Sequence, residues 1–324
     1  MDWSLLAYLL LGFAVLMYTV MDGFDLGIGI MLPWQRDAGL RDQMIQSIAP
    51  VWDGNETWLV LGGVLLLAAF PLAFATLLPA LYVPVTLMLI GLIFRGVAFE
   101  FRFKTVRGRA AWDIAFAGGS ALAAFAQGLM LATVIAGDLP SDGSVRLSIF
   151  SLFSAFGLMA GYGLLGLTWL HWRGDQALRR WAAKAARRTL IGVALFLALI
   201  SLWTPLLHPA IAARWFSWPL LLALAPIPLT TGWLLWHIDR ALLHGAARTP
   251  FLATVAVFLL GFAGLVISLF PWLVPGRLDL WQAAAHPGSM KVVLIGVLLL
   301  LPMILGYTFW SYRVFRGPIE AGYH

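Results

Sequence analysis

The chain has 324 residues, 61% of them hydrophobic and only 11% charged, with a formal net charge of +6. A soluble protein of this length has too little interior to hide that much apolar surface, so the composition points to a membrane protein. There is no cysteine, which excludes disulfides, thiolate metal sites, iron–sulfur clusters and cysteine nucleophiles.

Met1-Asp2-Trp3 lacks the basic n-region of a signal peptide, so the first apolar run is expected to be kept as a helix. A helix rising about 1.5 Å per residue needs roughly 20 residues to cross the hydrocarbon core. On that rule the chain is expected to be all-α, one integral membrane domain over 1–324. Nine transmembrane helices are placed near 5–32, 52–70, 73–99, 113–136, 148–171, 189–207, 217–238, 251–271 and 291–312. Only Pro71 and its neighbours divide the second from the third.

The basic residues sort by loop. One alternating set holds Arg36, Arg41, Arg102, Lys104, Arg107, Arg109, Arg173, Arg179, Arg180, Lys184, Arg187, Arg188, Arg240, Arg248, Arg313 and Arg316. The opposite set holds Arg146, Arg214, Arg277 and Lys291. Sixteen against four predicts a cytoplasmic first set, a periplasmic N-terminus and a cytoplasmic C-terminus, which requires an odd number of spans. This pattern also argues against nucleic acid as the reason for the positive charge. Trp3, Trp34, Trp112, Trp169, Trp172, Trp215, Trp218, Trp236, Trp272 and Trp310 fall near span ends, as interfacial anchors do. The longest polar stretch, 173–188, reads as a basic amphipathic linker on the cytoplasmic surface that serves as an orientation signal.

An ionisable side chain near the bilayer centre costs about 2.5–3.5 kcal/mol on insertion scales, so each needs a reason. Asp22 and Asp25 share a face of the first span, Asp53 and Glu56 open the second with the same spacing, and Arg95 and Glu100 lie late in the third. Alternating span directions put all six at similar depth in the cytoplasmic half. Such a cluster is either an ion-pair network locking three helices or a proton-conducting half-channel. Desolvation and the Arg95 charge act on the carboxyl proton affinities in opposite senses.

Gly23 and Gly27, and again Gly157 and Gly161, have the small-xxx-small spacing of close helix packing. Asn55-Glu56-Thr57 matches a glycosylation sequon, but at the cytoplasmic end of a helix it is set aside. Haem in a membrane bundle needs axial ligands projecting inside the spans. His171, His208, His237, His244, His286 and His324 all lie outside the middle thirds of the predicted spans, and no metal-ligand spacing appears.

Four blocks carry a resemblance. Asp22-Gly23-Phe24-Asp25-Leu26-Gly27-Ile28-Gly29 resembles the DGFDxGxG signature of subunit II of the bacterial cytochrome bd quinol oxidases. Residues 47–58, SIAPVWDGNETW, resemble that family's SIAPxWDGNxxW segment. Residues 94–102, FRGVAFEFR, are similar to its FRxxxFxxR stretch, and 307–317, YTFWSYRVFRG, to its YTxWxYRVFRG. The blocks occur in family order.

The resemblance implies a fold of two four-helix bundles plus a peripheral helix. It implies a heterodimeric terminal oxidase of the inner membrane whose subunit I holds two b-type haems, one d-type haem and the quinol site. This chain would ligate no haem. It would support assembly of subunit I and help bring cytoplasmic protons to dioxygen, with a structural quinone in some members, lipid contacts and room for small single-helix accessory subunits. Matched to the family's motifs, Asp53 is expected in the proton path and Arg95 in charge balance. Asp25 and Glu56 are further candidate carriers, and Glu56 stands where some members have glutamine. Asp22 and Glu100 are expected in structural pairing. Trp52 and Trp58 are expected at the subunit interface, near haem or quinone. The alternative from another class is a stand-alone cation-coupled transporter using the same carboxylates, although no inverted repeat is evident.

Overall fold

The computed structural model describes residues 2–105, 107–137, 139–140, 147–315 and 317. Arg146 and Arg316, used above in the charge count, lie outside the described residues. Its helices are α1 (Trp3–Met31), α2 (Ala38–Gln46), α3 (Trp52–Ala69), α4 (Pro71–Ala80), α5 (Tyr82–Arg102), α6 (Arg109–Ala136), α7 (Ile149–Arg173), α8 (Gln176–Leu207), α9 (Pro209–Phe216), α10 (Leu220–Leu224), α11 (Pro226–Leu243), α12 (Thr249–Leu269) and α13 (Pro287–Val314). A two-stranded antiparallel ribbon, β1 (Trp272–Val274) and β2 (Leu278–Asp279), lies between α12 and α13. Among the described residues eight helices are long and apolar enough to cross a membrane. The pair α3–α4, bent by 120°, makes a ninth if counted as one span.

Proline accounts for where the observed helices depart from the predicted spans. The break between α3 and α4 falls at Phe70, just before Pro71, because proline restricts its predecessor and has no N–H to donate. The span expected at 73–99 is two helices, divided at Leu81. Pro84 cannot donate to the Ala80 carbonyl, and its ring crowds that oxygen, so the helix restarts. The span expected at 217–238 is likewise split at Ala225–Pro226 into α10 and α11.

The expected surface linker 173–188 is mostly helix, continuous with the next span as the 32-residue α8. Leu178, Ala182, Ala186, Leu190 and Val193 form its buried stripe. At 1.5 Å per residue α8 is about 48 Å long, well beyond the roughly 30 Å hydrocarbon core, so its basic first turns have the length to reach past that core into the headgroup region. Asp175 caps it. One carboxylate oxygen accepts from the amides of Ala177 (3.0 Å) and Leu178 (2.8 Å), and the other accepts from Gln43 Nε2 at 2.9 Å. The Leu178 amide and then Gln43 hold this exposed carboxyl below the ordinary range. The cap is therefore complete above that range and is lost as pH falls through the lowered value.

Helix α1 is the hub, packed against α3, α6 and α7. Close approach is possible where glycines meet. A Cβ on Gly27 would fall on the Tyr162 carbonyl, and one on Gly166 would lie 2.6 Å from the Ile28 amide. Gly91 and Gly119 make a similar crossing of α5 and α6. Gly157 and Gly161 serve differently: they face the rings of Phe196 and Phe258 rather than a neighbouring backbone.

Candidate functional site: a buried charge cluster with an exposed edge

Three of the helices meeting at α1 place charge inside the protein. Asp22 and Asp25 on α1 have no solvent exposure, and Arg95 on α5 is 1% exposed. The guanidinium is a two-pronged bridge. Nη1 donates to Asp22 Oδ1 at 2.6 Å, and Nη2 donates to Glu56 Oε1 on α3. Glu56 keeps 27% of its side chain exposed, so the cluster is buried at one end and open at the other. Two carboxyl groups thus share one guanidinium, and Asp25 lies within its electrostatic reach without a bond to it. Asp22 Oδ2 and Asp25 Oδ1 are buried with no hydrogen-bond partner among the described residues.

Neutral polar side chains extend the cluster in two directions. Asn55 Nδ2 donates to Asp25 Oδ2 (2.8 Å) and to the Met21 carbonyl (3.2 Å), while Tyr312 Oη on α13 donates to Asn55 Oδ1 at 3.0 Å. On the other side Tyr18 stands beside Asp22. Gln127 Nε2 of α6 donates to Tyr18 Oη at 2.9 Å, and Tyr162 Oη of α7 donates to Gln127 Oε1 at 2.7 Å. Six helices, α1, α3, α5, α6, α7 and α13, therefore converge on one polar cluster. None of Asn55, Tyr18, Gln127, Tyr162 and Tyr312 is charged, so a search for charged residues misses them. A lone glutamine inside an apolar span and a WDGN asparagine three residues before a buried tryptophan were the available signals.

The expected members divide clearly. Asp22, Asp25, Glu56 and Arg95 come together. Asp53 lies in the first turn of α3, one turn from Glu56 and within its electrostatic reach. Its side chain is exposed and makes no ion pair or hydrogen bond among the described residues.

Glu100 does not join the cluster. At 100° per residue, five positions from Arg95 turn it about 140° around α5, and it pairs with Lys104 at 3.3 Å with 55% of its side chain exposed. Trp58 also departs from expectation. It is fully buried within this chain, edge-on to Phe13 with ring centres 5.6 Å apart, so it presents no face to a partner's cofactor. Trp52 is half-buried against Phe99 (5.1 Å).

A second ionic knot fastens the loops. Buried Arg102 pairs with Asp113 (2.5 Å) and Asp42 (2.8 Å), Arg41 with Asp113 (3.0 Å), and Arg109 with Asp42 (3.4 Å). It ties α2 to the ends of α5 and α6. Among the described residues no group of three His, Asp or Glu side chains is placed to hold a metal ion. The most buried histidine among the described residues, His171, lies with Nδ1 3.3 Å from the Arg179 carbonyl and Nε2 3.1 Å from the Ala246 carbonyl.

The family model for cytochrome bd terminal oxidase subunit II matches residues 3–315. Cytochrome bd ubiquinol oxidase subunit 2 of Bacillus subtilis is 31% identical, with 98% of this chain and 95% of that protein covered. Cytochrome bd-I ubiquinol oxidase subunit 2 of Escherichia coli is 30% identical, covering 99% and 96%. The solved bd oxidase of Geobacillus thermodenitrificans has a chain of the same fold, with a TM-score of 0.76 at 17% identity over 97% of this chain and 99% of that one. The chain belongs to the cytochrome bd terminal oxidase subunit II family, and so is a multi-pass inner-membrane subunit of a quinol:oxygen oxidoreductase whose family implies a haem-bearing subunit I as partner.

Proposed function

We propose that this subunit supports assembly of subunit I and carries cytoplasmic protons toward the dioxygen-reducing site held there, with Asp53 as the point of entry. The N-terminus is periplasmic and the C-terminus cytoplasmic on this reading, following the loop charges. The observation that carries it is the graded exposure from the start of α3 inward to α5 and α1: Asp53 open, Glu56 partly open, and the Arg95–Asp22 pair closed. A proton arriving at Asp53 is one turn from Glu56, whose carboxyl touches the guanidinium. Arg95 holds the carboxyls in place and offsets one negative charge. The unpartnered oxygens of Asp22 and Asp25 are places where a proton is bound rather than neutralised by a fixed donor.

The same helix supplies the assembly surface. Asp53, Thr57, Val60, Val64 and Leu67 form an exposed stripe at alternating four- and three-residue spacing, the pattern of a helix packing seam. The opposite stripe, Asn55, Trp58, Gly62, Leu65 and Ala69, is buried in this chain. With subunit I on the outer stripe, Asp53 lies at the subunit boundary. Trp52 belongs to that edge, and a structural quinone is a further occupant of the assembled complex. A stand-alone transporter is not favoured, because the match to subunit II runs over residues 3–315.

The test is the complete oxidase carrying Asp53→Asn or Glu56→Gln. Both are expected to keep b- and d-type haem spectra near wild type while oxygen consumption falls about tenfold or more, short of the roughly 100- to 10,000-fold that a positioned proton-transfer group contributes when nothing substitutes for it. Loss of haem with loss of turnover would assign these acids to structure alone.

A further inference from the structure

A groove lies away from the charge cluster, between α8 and α11, with a volume of about 870 Å³. Its two halves differ in chemistry. Toward the start of α8 it is lined by Lys184, Arg187 and Arg188, and further along by Ile191, Ala194 and Leu235. Arg187 is paired with Asp239 of α11 at 2.7 Å. Lys184 and Arg188 are exposed and have no ion-pair partner among the described residues. They are one turn apart on the same helix face. The groove therefore keeps two uncompensated cations at its mouth and an apolar trough running into the membrane-spanning half of α8. Trp236 lines the same groove on α11, beside the Arg240 guanidinium, at a depth where tryptophan favours the headgroup region.

We infer that this groove is a binding site for a diphosphatidyl phospholipid, with one phosphate at Lys184, the other at Arg188 and an acyl chain along Ile191, Ala194 and Leu235. A basic pocket between transmembrane helices is the arrangement that recognises diphosphatidyl lipids. Two free cations match two phosphates, and the Arg187–Asp239 pair closes the side of the site without spending its charge. A zwitterionic lipid would leave the two cations unbalanced. A free phosphate would leave the trough unfilled.

The experiment uses the complete oxidase in mild detergent, titrated with diphosphatidylglycerol or phosphatidylcholine, with bound lipid counted by native mass spectrometry. Wild type is expected to retain one diphosphatidylglycerol that phosphatidylcholine does not displace. Lys184→Gln/Arg188→Gln is expected to bind it about 30-fold more weakly, roughly fivefold for each cation removed. Ala194→Phe keeps the charges and fills the trough, and it is expected to lose the lipid as well, so the proposal is still tested if the charge variant assembles poorly. Equal retention of the two lipids, unchanged binding in both variants, or a quinone, a small helical subunit or a second copy found in the groove instead would overturn it.

Discussion

Arg95→Gln is expected to prevent recovery of an intact complex, with haem-containing oxidase in the membrane falling below about a tenth of wild type. Among the described residues Arg95 is the only cation paired with Asp22 and Glu56. Removing one partner of a buried pair costs about 3–5 kcal/mol, because the other charge is left without compensation. Against a total stability of about 5–15 kcal/mol, that is a large share. Arg95→Lys restores the charge but cannot bridge two carboxylates with a planar fork, so an intermediate yield is expected. Asp22→Asn/Arg95→Gln removes both halves of the tightest pair and should recover part of the yield. A normal yield of Arg95→Gln alone would show that the cluster does not hold these helices together.

The second large effect is expected at Gly27→Val. The added Cβ falls on the Tyr162 carbonyl, with the Gly166 amide 3.1 Å away, and backbone cannot rotate aside as a side chain can. Overpacking a close-packed interior costs about 1–3 kcal/mol, more where nothing yields. Here α1 must also lift from α7, and α1 carries Asp22 and Asp25. Lower thermal stability and reduced turnover of any surviving complex are both expected, measured on the purified oxidase. Gly261→Ala on α12, where a Cβ meets nothing within 4 Å, is the control. It should match or slightly exceed wild-type stability, since alanine favours helix over glycine.

Much of this was legible in the sequence because membranes impose simple rules. Run length and the proline at 71 located most helices, and the i, i+3 acids with Arg95 located the core of the site. What was not legible depended on helix phase and on uncharged polar groups. Glu100 has the right depth but the wrong side of α5, a difference that depth alone cannot reveal. Trp58 faces inward because α3 buries the stripe it shares with Asn55, Gly62 and Leu65. Asn55 looked like a glycosylation signal, yet it is the hinge between Asp25 and Tyr312. Gln127 stood out only as a lone glutamine in an apolar span, and Tyr18 and Tyr162 each fit such a span singly; only the fold brings their polar atoms into one chain. The reach of α8 beyond the bilayer was hidden because a basic amphipathic stretch reads the same whether it lies along the surface or continues a span.

The most direct test of proton entry through this subunit is time-resolved proton uptake by the fully reduced oxidase on mixing with oxygen, followed with a pH dye in wild type and Asp53→Asn. The account predicts that uptake, and the haem transitions that wait on it, slow about tenfold or more while oxygen binding and haem content are unchanged. Uptake at the wild-type rate in Asp53→Asn would contradict it.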